Sequence, residues 1–311
     1  MRILVTGGAG FIGSHLTRAL VRDKHSVRVL DNISRNVCHV QDLREAKTIE
    51  FIKGDICDLP LILETMKDID YVFHQASVCL HRCNAFPKEA IQVILDGSHN
   101  VFYAAVHEKV RKVIYASTSS VYGNPEYLPI DEKHPTNPAT PYGAAKLCVD
   151  HFAQFMAHKS GLKFIGLRYF NVYGTNQSTD AYYTSVINVF IKRVLAGAPP
   201  IINGGGDQTL DFTHVSDIVR ANILAMESDV ENEIFNVGSG KQCALWELAE
   251  KILKLMGSEL RPEYSKRDVP ITKRQCDNSK IKRLFGFKCE VFLKDGLHDL
   301  IESVKICPEM Y

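Results

Sequence analysis

Tyr142 and Lys146 stand four residues apart directly after Pro141, in the run Pro141-Tyr-Gly-Ala-Ala-Lys146. Proline suits the first position of a helix, so this spacing sets a phenol and an ammonium one turn apart on one face. The pair suits proton transfer: a nearby cation favours the phenolate and draws a tyrosine down from about 10 toward a working range. Four hydroxyl residues, Ser117, Thr118, Ser119 and Ser120, follow the apolar run 113–116 and offer hydrogen-bond partners at a strand end. A tyrosine four residues before a lysine also arises by chance, so the pair gains meaning only if a second feature shares its cleft.

The amino terminus supplies that feature. The apolar run Ile3-Leu4-Val5 enters the turn Gly7-Gly-Ala-Gly10-Phe11-Ile12-Gly13, and an amphipathic segment follows at 14–22. Gly7 permits a tight exit from the strand, Gly10 lets backbone approach a pyrophosphate, and Gly13 permits close packing of the helix. The helix N-terminus then aims free N–H groups at the anion. A second strand-like run, 26–30, ends in Asp31, where the dinucleotide fingerprint requires a carboxylate for the adenosine ribose. A carboxylate there repels a 2′-phosphate, so NAD is favoured over NADP, with Arg35 nearby facing solvent.

These features need elements to position them. Strands are expected at 3–6, 26–30, 49–52, 71–74, 113–116 and 164–167, alternating with helical periodicity, most clearly at 14–22, 88–108 and 142–159. That alternation predicts an α/β fold with a doubly wound parallel sheet. Beyond Gly174 the rhythm breaks into a helix at 183–195, a turn-rich stretch at 197–207, a strand at 211–214 and a helix at 216–227. A strand at 234–237 and a helix at 245–256 follow. The expected division is a Rossmann-like domain over 1–174 with a return segment at about 208–238, and a smaller, interleaved substrate-binding lobe from 175–207 and 239–311. Ligands of such sheets bind at the carboxyl ends of the strands. Apolar residues on more than one face of 88–108 and 142–159 also suit a homodimer contact.

With 311 residues, 45% of them hydrophobic, the chain can bury a substantial core. A net charge of +1 with both signs dispersed excludes an electrostatic nucleic-acid or membrane surface. No stretch approaches the roughly 18 apolar residues of a membrane span, and no charged leader precedes the first strand, so a cytoplasmic protein is expected. Nine cysteines, an odd and scattered set, suit reduced thiols rather than a disulfide frame. Cys79, His81 and Cys83 match no closed zinc spacing, so no metal is expected.

The motifs, taken in order, resemble those of the extended short-chain dehydrogenase/reductase superfamily, in particular NAD-dependent nucleotide-sugar epimerases and dehydratases of the UDP-galactose 4-epimerase type. The resemblance runs through TGGAGFIGSH at 6–15, Asp31-Asn32, Gly54-Asp55-Ile56, His74-Gln75-Ala76-Ser77 and STSSVYG at 117–123. It continues through PYGAAK at 141–146, LRYFNVYG at 167–174 and DFTHVSD at 211–217, covering nearly the whole chain. It implies that Asp55 and Ile56 hold adenine, that Gln75, Ala76 and Ser77 line the cofactor's path with Ser117, and that Tyr169 sits near the nicotinamide. Thr118 would pair with the substrate, Tyr142 would act as base, and Lys146 would bind the nicotinamide ribose. Arg82, Ser119, Ser120, Asn171 and Arg267 would face the nucleotide sugar, Asn171 at its diphosphate.

Within this superfamily 4,6-dehydratases carry Asp and Glu directly after the threonine, and decarboxylases usually carry Glu at the position of Ser120. Here both positions are serine. What remains is reversible oxidation at the sugar C4, an epimerisation in which net redox is zero. A dehydratase or net oxidoreductase with an unusual acid and base, and a degenerate cofactor-binding sensor, are the competing readings. Two arginines that the family places against phosphate are missing: Leu210 stands at one position and Ser265 at the other. Losing such a contact costs about 1.5–3 kcal/mol unless replaced, and Lys266, Arg267 and Arg274 are the candidates to replace it. Ile94 stands where the family usually has asparagine, and the loop 78–87 is unusual.

Overall fold

Ile3, Leu4 and Val5 are all fully buried, three in succession, as in a strand with both faces covered. The computed structural model describes residues 1–34, 38–177, 185–266 and 273–306 and places these three in β1 (Arg2–Thr6). Five more strands follow in chain order: β2 (Ser26–Asp31), β3 (Glu50–Lys53), β4 (Tyr71–His74), β5 (Lys112–Thr118) and β6 (Phe164–Tyr169). With the returning strand Glu233–Val237 they form one sheet, ordered Glu233–Val237, β6, β5, β4, β1, β2, β3. Every pairing in it is parallel. The order reverses between β1 and β4, which opens a crevice at their carboxyl ends.

Alternate residues serve the two faces. Ile3, Val5, Val29 and Phe73 pack in one cluster with Leu16 and Ile218, from the helices Phe11–Arg22 and Val215–Glu227. Leu4, Leu30 and Val72 pack on the other face with Ile62, Phe102 and Val149, from the helices Leu59–Met66, Gly97–His107 and Pro141–Ser160. A third cluster joins Phe190, Leu248, Ile252 and Leu297, carried by the helices Val186–Leu195, Leu245–Leu255 and Leu293–Ile306.

The strand and helix expectations hold for the sheet, with three differences. The helix expected at 88–108 is interrupted: Pro87–Glu89 is α, Ala90–Asp96 winds as a π-helix, and Gly97–His107 returns to α. Gly97 presses so closely on Ile56 that a Cβ would lie 2.5 Å from its Cδ1. The strand expected at 211–214 shrinks to Thr213–His214, paired with Val172–Tyr173, because the Asp211 carboxylate is a buried acceptor for Ser239, Gly240 and Cys276. The helix expected from 183 is described only from Val186, with Ser185 as its cap; 183–184 lie outside the described residues.

The helix Pro141–Ser160 is delimited by its own chemistry. Thr140 Oγ1 accepts the Gly143 N–H at 3.1 Å, Pro141 fills the first position, and Gly161 ends the helix at φ +72°. Thr140→Ala should therefore lower the unfolding free energy by about 1 kcal/mol, read as a shifted denaturant midpoint at unchanged slope.

Candidate active site

The glycines of the first turn are required by their neighbours to different degrees. Gly7 has φ +69°, and a Cβ there would lie 2.6 Å from the Ala76 backbone nitrogen. A Cβ on Gly13 would lie 2.1 Å from the Gly7 carbonyl oxygen, so this glycine packs against the turn itself rather than the sheet. Gly10 is different: its nearest neighbour is the Gly7 oxygen at an ordinary 3.4 Å, yet it faces the crevice. The protein does not need Gly10 bare; a close-approaching ligand does. The first bond of the helix, from Ser14 N–H to the Gly10 carbonyl, leaves the N–H groups of Phe11, Ile12 and Gly13 unused within the helix.

The crevice encloses about 470 Å³ and gathers Gly7, Gly10 to Gly13, Asp31 and Asn32, Asp55 and Ile56, Gln75 to Ser77, Arg82 and Tyr142. Asp31 at the end of β2 accepts the Ala9 N–H at 3.0 Å on one oxygen and the Ile33 N–H at 2.8 Å on the other, which fixes the carboxylate at the wall. Asn32 donates to Asp55 at 2.9 Å. Burial works against the Asp55 charge, but the Cys57 N–H and the Asn32 amide outweigh it and hold the carboxyl below its ordinary range. The residues on the wall thus fit a dinucleotide: a bare turn with unused N–H groups at one point and a fixed carboxylate at the end of β2.

Tyr142 reaches the Thr118–Ser120 loop because Gly143 permits it; a Cβ on Gly143 would lie 2.7 Å from the Ser120 carbonyl oxygen. Thr118 Oγ1 accepts the Ser120 N–H at 3.1 Å and donates to Ser120 Oγ at 3.2 Å. Burial pushes the Tyr142 phenol above its ordinary range, while a hydrogen bond with Thr118 pulls the other way. The lowering expected from Lys146 is therefore corrected: in the protein alone desolvation wins. Lys146 is buried and donates to the Ala116 carbonyl at 2.8 Å. Burial lowers its ammonium to about 8, against the pull of Asp150 and Cys83.

The remaining expected residues are placed as follows. Gln75, Tyr169 and Asn222 form one buried network, with Asn222 donating to the Tyr169 hydroxyl at 2.8 Å; burial pushes Tyr169 up to about 12. Ser117 Oγ is buried with no hydrogen-bond partner among the described residues. Asn171, at φ +29°, donates to the Asp211 carbonyl. Arg82 is joined by Nε and Nη2 to both oxygens of Glu89, at 2.6 and 2.9 Å, on the crevice wall. Arg267 and Arg35 lie outside the described residues, and Lys266 is exposed. Leu210 joins the third apolar cluster and pairs with Cys243.

Sequence reasoning missed how Arg274 is used. Its N–H donates to Thr209, next to Leu210, and its guanidinium donates to the carbonyls of Ser119 at 2.9 Å and Gly123 at 3.0 Å. Desolvation lowers its pKa, so a partly buried cation grips the loop after Thr118. Arg274 pairs across long sequence distance, so no local pattern announces it. Another cavity, of about 500 Å³, lies between the helices Phe11–Arg22 and Val215–Glu227. The arginines on its wall include Arg18, held by Asp42, and Arg220, held by Asp217 and Glu290, and it gathers none of the residues above. Among the described residues no helix is long and apolar enough to cross a membrane, and no group of three His, Cys, Asp or Glu side chains could hold a metal.

Comparison with known proteins decides the family. Residues 3–238 match the model of the NAD dependent epimerase/dehydratase family. The chain belongs to that family. Its cofactor is NAD, which agrees with the bare turn and with Asp31. Over 308 residues it is 34% identical to a putative UDP-glucose 4-epimerase of Methanocaldococcus jannaschii, covering 97% of this chain and 98% of the relative. It is 33% identical to a UDP-N-acetyl-alpha-D-glucosaminuronate decarboxylase of Bacillus cytotoxicus, covering 97% of each. Among solved structures it is similar to the UDP-glucose 4-epimerase of Thermotoga maritima with UDP-glucose, at TM-score 0.92 and 32% identity, covering 99% of this chain and 100% of that one. The chain is thus an NAD-dependent nucleotide-sugar enzyme of the epimerase/dehydratase kind.

The glycine geometry separates two substitutions. Gly10→Ala should leave the unfolding free energy within about 0.5 kcal/mol and weaken NAD binding by roughly tenfold, about 1.4 kcal/mol. Gly13→Ala should lower both stability and binding. Denaturant melts and calorimetric titration of cofactor-depleted protein check both.

Proposed function

We propose that this protein is an NAD-dependent nucleotide-sugar 4-epimerase, interconverting C4 epimers of a UDP-hexose or UDP-N-acetylhexosamine. The observation that carries the reading is the hydroxyl character of the loop beside Tyr142. The carboxylates on the crevice wall are Asp31, Asp55 and Glu89. Asp31 and Asp55 stand at the ends of β2 and β3, and both oxygens of Glu89 are engaged by Arg82. Directly after Thr118 the chain carries Ser119 and Ser120 rather than the acid and base of the dehydratases.

When bound, NAD supplies the hydride acceptor for the sugar C4 and a positive charge. Thr118 holds the C4 hydroxyl, and Tyr142 accepts its proton as the C–H bond is broken. Tyr142 starts from a phenol raised by burial, so it depends on added positive charge to become a base, with Lys146 contributing from the same helix face. The sugar ketone turns about its diphosphate link, and Tyr142 returns the proton when hydride is returned to the other face. Arg274 is the residue proposed to take the phosphate contact that Leu210 cannot make, and Asn171 stands on the same side.

The same reading divides the chain into a cofactor unit, 1–174 with a return at about 208–238, and a substrate lobe, 175–207 and 239–311. The third apolar cluster supports this, although Tyr173 and Phe212 also belong to it. The scattered thiols favour the cytoplasm as its compartment. A homodimer is proposed through the helical stretches 88–108 and 141–160, where Tyr103 is 43% and Phe155 55% exposed, apolar area that an interface would cover. Phe155→Glu should convert dimer to monomer in sedimentation; a wild-type monomer overturns the dimer alone.

An NMR product screen over UDP-glucose, UDP-galactose and their N-acetyl forms, with no cofactor added, tests the reaction. Interconversion at C4 is expected, and Tyr142→Phe should slow it by about 10²–10⁴-fold. Arg274→Met should raise KM by about tenfold or more, since a charge-assisted contact contributes roughly 1.5–3 kcal/mol. A 4-keto-6-deoxy product, or steady NADH release, would replace the epimerase with one of its relatives' reactions.

A further inference from the structure

We infer that Asp150 is the positioning residue for Lys146: a buried carboxylate one helical turn beyond the lysine that keeps its ammonium charged and in place, itself anchored by Arg168 and Tyr115. The inference rests on the proposed role of Lys146 and adds a residue that touches neither the crevice nor a ligand. Tyr142, Lys146 and Asp150 recur at intervals of four along the helix Pro141–Ser160, so they share one face.

Lys146 is 2% exposed and Asp150 1%. A buried ammonium is costly unless an opposite charge lies close. The hydrogen bond that Lys146 makes goes to a neutral carbonyl, that of Ala116. The charge that holds it must come from a neighbour, and the groups that face it can be taken in turn. From β4 comes His74, which burial pushes down to about 3, so it is uncharged near neutrality. From the helix Leu80–Ala85 comes Cys83, whose thiol burial pushes up to about 11, so it too is uncharged. On the lysine's own helix stand Tyr142, a raised phenol, and Asp150. Asp150 is the one anion in this set.

Asp150 is fixed from two strands. Its Oδ1 accepts the Tyr115 hydroxyl of β5 at 3.0 Å, and its Oδ2 accepts Arg168 Nε of β6 at 2.9 Å. Arg168 Nη1 donates onward to the Tyr122 hydroxyl at 2.8 Å, which donates to Asn236 Oδ1 at 2.7 Å. Burial lowers the Lys146 ammonium to about 8, and the Asp150 charge opposes that fall; with its anion gone, Arg168 would be left as a like charge on the neighbouring strand. If Lys146 acts as the ammonium, the proposed activity falls on the alkaline side as Lys146 loses its proton, so anything that lowers the lysine moves the fall to lower pH.

The test reads Lys146 directly and then the reaction. In protein labelled with carbon-13 lysine, the Cε resonance that disappears in Lys146→Arg is titrated by NMR. Asp150→Asn should shift its midpoint down by a pH unit or more, equal to a tenfold or greater loss of ammonium stabilisation, and Asp150→Glu should restore most of it. The alkaline limb of kcat should move by the same amount with KM little changed at pH 6.5. Tyr115→Phe removes a hydrogen bond from Asp150 while leaving its charge, and should leave both midpoints in place. If Asp150→Asn does not fold, Asp150→Asn with Arg168→Gln removes the buried pair together, and a smaller shift in the same downward direction is expected, because the repulsion of Arg168 is removed with the attraction of Asp150. An unmoved Lys146 midpoint, or equal shifts in Asp150→Asn and Tyr115→Phe, overturns the inference. A wild-type protein that turns over no nucleotide sugar would instead remove the proposed reaction, with the NMR titration still reading Asp150.

Discussion

The site depends first on one backbone approach, that of the turn after β1 to the chain leaving β4. Gly7 lies so near Ala76 that no side chain fits between them, and Gly13 presses on Gly7 in turn. Those two contacts seat the helix Phe11–Arg22 with its first N–H groups over the point where strand order reverses. The anion-binding end, the carboxylate of Asp31 and the strand end at Gln75 then share one wall. On the other side of β4, β5 brings Thr118 to the same level, and Gly143 lets the next helix close on it.

A second constraint is electrostatic. The protein takes several charges at least partly out of water and satisfies each differently. Asp211 is answered by N–H and O–H donors from Ser239, Gly240 and Cys276; Asp217 by Arg220 and by backbone at Glu290 and Val291. Among the described residues Arg274 meets the carbonyls of Ser119 and Gly123. Charges satisfied by donors within the fold are structural, whereas a partly buried cation answered, among the described residues, by carbonyls retains attraction for an anion. This contrast, more than any motif, separates the residues that hold the fold from those suited to hold a substrate.

Much of this was legible in the sequence. The parallel sheet followed from strand-like runs alternating with helical periodicity, and the crevice from glycine spacing followed by Asp31, because both are local patterns with local causes. Tyr142, Lys146 and Thr118 were legible through spacing and order. The direction of the Tyr142 shift was not, because desolvation depends on what packs around the phenol and leaves no trace in the spacing. The π turn at Ala90–Asp96, the contraction at Asp211 and the reach of Arg274 to Ser119 arise from contacts between distant segments. Asp150 was visible in principle, four residues beyond Lys146, but its burial and its partners on β5 and β6 give the spacing its meaning.

In the proposed epimerisation the hydride that leaves the sugar returns to the same carbon without exchange. Its most direct measurement is the fate of deuterium in C4-deuterated UDP-glucose incubated with the purified protein in ordinary water. The account predicts that the C4 epimer formed carries the deuterium at C4, with none lost to solvent and no accumulation of reduced cofactor. Epimer formed with hydrogen at C4, or deuterium recovered in released NADH, would contradict it.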